Sequence, residues 1–178
     1  MTVFDESKLE VLISEAELKE KVRELGAKIT EDYKGKQLTV VGVLNGCFVF
    51  LADLVREIDL SITTDFLGLS SYGASTSSSG VVAFTKDLSG PIEDQHVLVV
   101  EDIIDTGLTM KYLLENLSTR KPASVKVCSL LSKPARRQVS AQLDYLGFTI
   151  EDRFVVGYGL DFDGKYRNLP HIAVVSES

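Results

Sequence analysis

The sequence predicts a single α/β domain with a mostly parallel, twisted sheet flanked by helices. The chain has 178 residues, which is the size of one ordinary domain. Apolar residues make up 44% and charged residues 25% of it, which is normal for a globular protein and excludes disordered and disulfide-framework chains. Short apolar runs alternate with stretches of helical spacing, and this alternation is typical of parallel strands joined by right-handed crossovers.

The first elements are a helix and a buried strand. Ser14 and Glu17 have the spacing of a capping box, which predicts an amphipathic helix that continues to Tyr33. Residues 38–44 form a continuous β-branched apolar run, which is typical of a strand covered on both faces.

The alternation continues along the rest of the chain. After Asn45-Gly46, apolar residues at helical spacing predict a helix over 48–58. Residues 70–80 are small and polar, which predicts a loop. Apolar periodicity also predicts a helix over 109–119. The remaining strands are expected at 61–67, 81–84, 96–100, 124–131, 154–157 and 172–175.

Charge and cysteine content exclude several classes of protein. The chain has 19 Lys plus Arg against 26 Asp plus Glu, a net charge of -7, which argues against a nucleic-acid or membrane-surface binder. Cys47 and Cys128 lie in apolar surroundings and are expected to be buried thiols of a reducing compartment. No signal peptide and no apolar run of about 18 residues is found. We therefore expect a cytoplasmic protein.

The richest candidate site follows the strand at 96–100, in the string VLVVEDIIDTGLTM. Ligands bind at the carboxyl ends of the strands in an open α/β sheet. Glu101 and Asp102 suit sugar hydroxyls or a magnesium ion. Asp105 and the turn at 106–109 lead into a helix, whose N–H groups suit a phosphate. Together these groups describe a site for ribose 5-phosphate.

A simpler interpretation is that Asp105 caps the helix and that the acidic pair is a solvated strand end. Three carboxylates within five residues repel one another, however, and this favours a bound cation or ligand.

Two further strand-to-helix or strand-to-loop junctions are candidate binding sites. Residues 44–46 could bind a second anion before a helix, or form an ordinary turn. Residues 154–167 combine an aromatic ring, a carboxylate and an arginine.

The string VVEDIIDTGLTMK resembles the phosphoribosyl pyrophosphate signature of type I phosphoribosyltransferases, and its EDIIDTGxT form resembles the hypoxanthine-guanine branch. The likeness extends through VLNGCFVFLADL, SSYG, SLLSKPARR and FVVGYGLDFDGKYRNLPHIAVVSE. It implies transfer of phosphoribose to N9 of hypoxanthine or guanine in purine salvage, giving IMP or GMP and pyrophosphate. It also implies Mg²⁺ as cofactor and a homodimer or homotetramer.

The resemblance assigns a role to individual residues. Asp105 would be the general acid/base that faces N7 of the purine. The other implied roles are ribose hydroxyl binding by Glu101 and Asp102; 5-phosphate binding by Asp105, Thr106, Gly107, Leu108 and Thr109; base binding by Lys133, Phe154 and the Val155 backbone; pyrophosphate binding by Leu44, Asn45, Gly46 and Arg167; metal binding by Asp161 with Glu101 and Asp102; and loop closure by Ser71 and Tyr72.

The resemblance also implies a division of the single domain. Residues 1–36 would hold the N-terminal helix, 37–135 the core, and 136–178 a base-binding hood with the metal and pyrophosphate segment; the terminal segments would build the hood. The family often has a cis peptide at the position of Leu44-Asn45. Asn45 and Leu108 depart from the family, where a basic residue and a lysine are frequent.

Two other classes remain as alternatives. Pyrimidine attenuation regulators share this fold and bind RNA, but they need a basic face and no acid/base group. A phosphorylated receiver domain also has an aspartate at a strand end, but it has no use for the Thr-Gly-x-Thr turn. The sequence does not rank hypoxanthine, guanine and xanthine.

Overall fold

The computed structural model describes residues 9–71 and 82–175 of the chain. Its elements in chain order are β1 (Leu9–Ile13), α1 (Glu15–Asp32), β2 (Leu38–Leu44), α2 (Phe48–Arg56), β3 (Ile62–Ser71), β4 (Val82–Lys86), β5 (His96–Ile104), α3 (Leu108–Ser118), β6 (Ser124–Ser132), a 3₁₀ turn (Pro134–Arg136), β7 (Tyr145–Thr149), β8 (Val155–Val156) and β9 (Ile172–Val175).

The strands form two sheets. The main sheet has the order β4-β3-β2-β5-β6-β7, and every pairing is parallel except that of β3 with β4. The second sheet has the order β1-β9-β8 and is antiparallel, so it joins the two ends of the described chain. The mostly parallel α/β sheet and the hood from the terminal segments are confirmed.

Alternate residues of the central strand β5 pack on opposite faces of the main sheet. Leu98 and Val100 belong to a core with residues of α1 and α2 such as Phe50. Val97 and Val99 belong to a second core with Leu113 and its neighbours on α3. Because successive side chains of a strand point to opposite faces, a continuous apolar run is what a sheet covered on both sides requires. β2 alternates in the same way, with Val40 in the first core and Val41 in the second, so the prediction that the strand at 38–44 is covered on both faces is confirmed.

Two strands were not predicted from the sequence. In β1 only Ile13 is fully buried, and β7 is an edge strand with only Tyr145 fully buried, so neither has the continuous apolar run of a central strand. β7 pairs with β6 in the main sheet, although it lies in the stretch 136–178 that was assigned to the hood. The boundary between core and hood therefore stays a proposal.

Within the described residues, no helix is both long and apolar enough to span a bilayer.

The capping box at the start of α1 is present. The Glu17 N–H donates to Ser14 Oγ, and the Ser14 N–H donates to Glu17 Oε2 at 2.8 Å. We expect Ser14→Ala to lower the free energy of unfolding by about 1 kcal/mol, the usual cost of a lost N-cap. Urea unfolding measures this change. Ser14→Thr is the matched control because threonine keeps the hydroxyl that accepts from the Glu17 N–H and donates to Glu17 Oε2, and an equal loss in both variants would contradict the cap's role.

Candidate active site

The carboxyl ends of β2 and β5 meet at one edge of the main sheet, because the two strands are parallel neighbours. A cavity of about 280 Å³ opens between the turns that follow them. Ligands bind at this position in open α/β sheets. The cavity is lined by Val43, Leu44, Gly46, Leu69, Glu101, Asp102, Ile103, Ile104, Asp105, Thr106, Gly107, Thr109 and Met110. Both predicted anion-binding turns therefore line one space.

Glu101 and Asp102 lie within β5 and not after it, because the strand continues to Ile104. Burial, and then the neighbouring Asp102 charge, raise the pKa of Glu101 well above its ordinary value. Burial also raises the pKa of Asp102, against opposing hydrogen bonds to Glu101 and the Ile103 N–H and the charge of Arg167. Two carboxylates that share a partly buried site repel each other. A bound cation would relieve this repulsion.

Gly46 gives the Asp102 carboxylate its space. A Cβ at Gly46 would overlap Oδ2 of Asp102, and a Cβ at Gly159 would overlap the Gly46 carbonyl oxygen. The Gly46 backbone therefore lies between the carboxylate and the segment that contains Gly159. The Leu44–Asn45 peptide bond is cis, as is frequent in the family that the sequence resembles. Asn45 itself is exposed.

The turn at 105–109 has the backbone expected for an anion cradle. Gly107 has φ 85° and is the N-cap of α3, and as a glycine it has no side chain that could cap the helix. The Leu108 N–H donates to Thr106 Oγ1 at 3.4 Å, while the Leu108 side chain is exposed. Because the first N–H groups of a helix lack intrahelical partners, they can donate to a phosphate. The interpretation of Asp105 as the helix cap is wrong.

Asp105 instead contacts a charged cluster that the sequence analysis did not predict. Arg136 Nε lies 3.0 Å from Asp105 Oδ1, and Arg136 Nη1 lies 3.5 Å from Asp152 Oδ1. Lys133 is only 7% exposed, and its Nζ lies 3.8 Å from the same Asp152 oxygen. Arg136 belongs to the SLLSKPARR segment of the resemblance, which is the signal that could have identified it. Asp152 gave no signal in the sequence.

The hood presents an aromatic surface. Phe154 is 52% exposed, although an isolated apolar residue of this kind is usually buried. Phe162, which the sequence analysis did not predict, is 54% exposed, and the two ring centroids are 5.6 Å apart. Val155 is buried in β8 and pairs with Val174. The two ring planes lie at 82° to each other, so the pair can offer one ring face, and not a common plane, to a flat apolar ligand.

Arg167 and Asp161 form an ion pair in this structure. Arg167 Nη2 lies 2.8 Å from Asp161 Oδ1, and Arg167 Nη1 donates to the Gly159 carbonyl at 2.6 Å. Asp161 Oδ2 accepts from the Gly164 N–H at 2.7 Å. Gly159 packs on Gly46. Arg167 and Asp161 therefore lie in the same region as the turn at 44–46.

Of the predicted closing loop at 70–80, only residues 70 and 71 belong to the described part of the chain. Ser71 is the last residue of β3. Tyr72 and the remainder of the segment 70–80 lie outside the described residues, so the closing role of Ser71 and Tyr72 stays a prediction.

Comparison with known proteins agrees with this geometry. The family profile of the phosphoribosyl transferase domain matches residues 13–163. The hypoxanthine-guanine phosphoribosyltransferase of Bacillus subtilis is 48% identical over 165 residues, which cover 93% of this chain and 92% of the relative. The chain belongs to the phosphoribosyl transferase family, in its hypoxanthine-guanine branch. The resemblance seen in the sequence is confirmed.

Solved phosphoribosyltransferases have the same fold. The match with the crystal structure of a hypoxanthine phosphoribosyltransferase from Staphylococcus aureus covers 96% of this chain and 93% of that chain, with a TM-score of 0.92 and 44% identity.

Some relatives are much longer than this chain. The bifunctional TilS/HprT proteins of Listeria innocua and Listeria monocytogenes are 50% identical over 165 residues, and this chain spans 26% of their length.

Proposed function

We propose that this phosphoribosyltransferase moves the 5-phosphoribosyl group of phosphoribosyl pyrophosphate to N9 of hypoxanthine or guanine. The products would be IMP or GMP and pyrophosphate, as purine salvage requires. The observation that carries the proposal is the single cavity that joins the acidic pair on β5, the uncapped start of α3 and the turn at 44–46.

The cavity supports a ribose 5-phosphate in one orientation. The N–H groups at the start of α3 and the hydroxyls of Thr106 and Thr109 would hold the phosphate, which the positive end of the helix also favours. Leu108 would contribute its N–H alone, since its side chain is exposed. Glu101 and Asp102 would accept hydrogen bonds from the two ribose hydroxyls.

The same residues fit a magnesium ion. Mg²⁺ usually binds one or two carboxylates and completes its shell with water and substrate oxygens. No cluster of three or more His, Cys, Asp or Glu suited to a metal occurs in 9–71 and 82–175. Glu101 and Asp102 would hold the ion, with Asp161 once its ion pair with Arg167 opens. Bound Mg²⁺ would neutralise the charge that develops on pyrophosphate.

Arg167 and the turn at 44–46 would bind the leaving pyrophosphate. Arginine pairs with phosphate oxygens through two parallel N–H groups. The backbone N–H groups before α2 would also donate to the pyrophosphate. These donors do not depend on the side chain at position 45, so binding does not require a basic residue in place of Asn45. Breaking the bond from C1′ to the pyrophosphate oxygen leaves positive charge on the sugar and negative charge on the leaving group, so both must be stabilised.

The base would lie between the hood and the end of β5. Phe154 would stack on the purine, Lys133 would donate to its C6 oxygen, and the Val155 backbone would bind the base edge. Asp105 would take the proton from N7 as N9 attacks C1′. Closure of the segment 70–80 over the reacting carbon would exclude water, which is the competing nucleophile.

The proposal extends to the assembly and location of the protein. A homodimer or homotetramer is proposed from the resemblance, and a cytoplasmic location is proposed because the two buried free thiols, Cys47 and Cys128, suit a reducing compartment. Neither a nucleic acid nor a membrane is proposed as partner.

A panel of bases tests the proposed function. Hypoxanthine, guanine, xanthine, adenine and orotate are each mixed with phosphoribosyl pyrophosphate and Mg²⁺, and nucleotide formation is followed by absorbance. We expect turnover of hypoxanthine or guanine. Turnover of adenine or orotate alone would contradict the proposal. RNA binding in a gel shift without any turnover would instead favour the attenuation regulator.

Lys133→Ala tests how the base is bound. We expect a KM for hypoxanthine raised about tenfold or more, because a hydrogen bond from a charged donor contributes about 1.5–3 kcal/mol. The KM for phosphoribosyl pyrophosphate should stay near that of the wild type. Lys19→Ala is the control, since Lys19 pairs with Glu15 on the surface of α1. Equal losses for both substrates would contradict the assignment.

A further inference from the structure

Four charged side chains form a line from the base-binding lysine to the acid/base carboxylate. Lys133 Nζ lies 3.8 Å from Asp152 Oδ1, and Arg136 Nη1 lies 3.5 Å from that same oxygen. Arg136 Nε then lies 3.0 Å from Asp105 Oδ1. The charges alternate in sign along the line. Arg136 and Asp152, its two inner members, have no part in the reaction as proposed above.

Arg136 comes from a turn that is fixed to the site. It ends the 3₁₀ turn Pro134–Arg136 that follows β6. The Lys133 N–H donates to the Ile104 carbonyl at 3.0 Å, and the Arg136 N–H donates to the Lys133 carbonyl at 3.2 Å. The turn is therefore bonded to the last residue of β5, one residue before Asp105. Lys133 and Arg136 are held in one geometry relative to that strand.

The contact with Arg136 restrains one oxygen of Asp105. Among the described residues, Arg136 is the one side chain within ion-pair distance of Asp105, and Oδ1 of Asp105 is a buried atom without a hydrogen bond of good geometry. A guanidinium stays charged at all relevant pH values. It would hold Oδ1 in place and leave Oδ2 for a substrate proton.

The ion pair is too exposed to serve mainly for stability. The side chains of Arg136 and Asp105 are 48% and 39% exposed, and ion pairs at such exposure contribute little to folding. A general base must lie within hydrogen-bond reach of the proton that it takes. Fixing the direction of the carboxylate is therefore the contribution that this geometry makes.

We propose that Arg136 is a positioning residue that orients Asp105 for proton transfer, and that Asp152 holds Arg136 in place. The inference rests on the proposed function, because it assigns Asp105 to the acid/base step. It adds that Lys133, which would bind the base, and Asp105, which would take the proton of the base, belong to one ionic network.

The first test is Arg136→Gln, which removes the charge and keeps a polar side chain. We expect kcat with hypoxanthine to fall about tenfold, within the ~10²-fold that a misplaced reacting group can cost. The KM for phosphoribosyl pyrophosphate and the unfolding midpoint should not change. Arg136→Lys should recover part of kcat. Arg153→Gln is the matched control, since Arg153 lies 3.0 Å from Glu10 on the same hood.

The second test is a double-mutant cycle with Asp152→Asn. If Asp152 acts on kcat through Arg136, its substitution should lower kcat in the wild type and change it little in the Arg136→Gln background, since residues in one network are not additive. Fold-losses that simply multiply would overturn the network. So would wild-type kcat in Arg136→Gln, or a change confined to the KM of phosphoribosyl pyrophosphate.

The wild-type assay separates a failure of the proposed function from a failure of the role proposed for Arg136. If the wild type turns over neither hypoxanthine nor guanine, the proposed function fails and this inference fails with it. If the wild type is active and Arg136→Gln has the same kcat, the inference alone is overturned.

Discussion

Asp105→Asn should lower kcat for nucleotide formation by at least tenfold, and up to the ~10²–10⁴-fold that a general base contributes. The amide has nearly the same shape as the carboxylate but cannot take the N7 proton. The cradle proposed for the 5-phosphate is built from backbone N–H groups at the start of α3, so the dissociation constant of phosphoribosyl pyrophosphate should stay near the wild-type value. Steady-state kinetics and calorimetry measure the two quantities.

Asp94→Asn is the control for this substitution. Asp94 is exposed and lies before β5, at the opposite end of the strand from Asp105. Its backbone has φ 58°, a conformation that asparagine tolerates well. We expect wild-type kinetics in this variant. Unchanged turnover in Asp105→Asn would reject the acid/base role, whatever the control shows.

Gly46→Ala should lower kcat/KM for phosphoribosyl pyrophosphate by about 10²-fold, the scale of loss expected when a binding group is misplaced by about 1 Å. The added methyl group would overlap the Asp102 carboxylate. A carboxylate at the tip of a side chain can rotate away, so the fold should survive. On the proposed assignment, however, the displaced oxygen is one that would accept from the ribose hydroxyls and bind the metal ion.

Gly90→Ala provides the comparison. A Cβ at Gly90 would meet no atom within 4 Å, so the same chemical change there should leave both kinetics and unfolding unchanged. Circular dichroism of Gly46→Ala should match the wild type. A Gly46→Ala enzyme with wild-type kcat/KM would show that the contact between Gly46 and Asp102 has no part in catalysis.

The central strands and the acidic turn could be predicted from the sequence because their signals are local. A seven-residue stretch over 38–44, rich in valine and leucine, predicted β2 with its observed bounds. The spacing of Ser14 and Glu17 predicted the start of α1. Carboxylates concentrated beside a Thr-Gly turn indicated the site, because the carboxyl ends of parallel strands are where such sheets bind ligands.

The features that the sequence did not predict depend on distant contacts. Asp152 joins Arg136 only after β7 pairs with β6 and brings the following segment to the end of the sheet. The requirement for glycine at 46 comes from Asp102, 56 positions away in the chain. Phe154 could not be separated from a core residue by its sequence neighbours alone, and its exposure appears only in the folded hood.

A crystal structure with IMP and Mg²⁺ would show whether the nucleotide binds at the turn after β5. We expect the nucleotide phosphate within hydrogen-bond distance of the N–H groups at 106–109, the ribose hydroxyls beside Glu101 and Asp102, and N7 of the base within reach of Asp105. A nucleotide bound elsewhere, with the turn after β5 empty, would contradict the account.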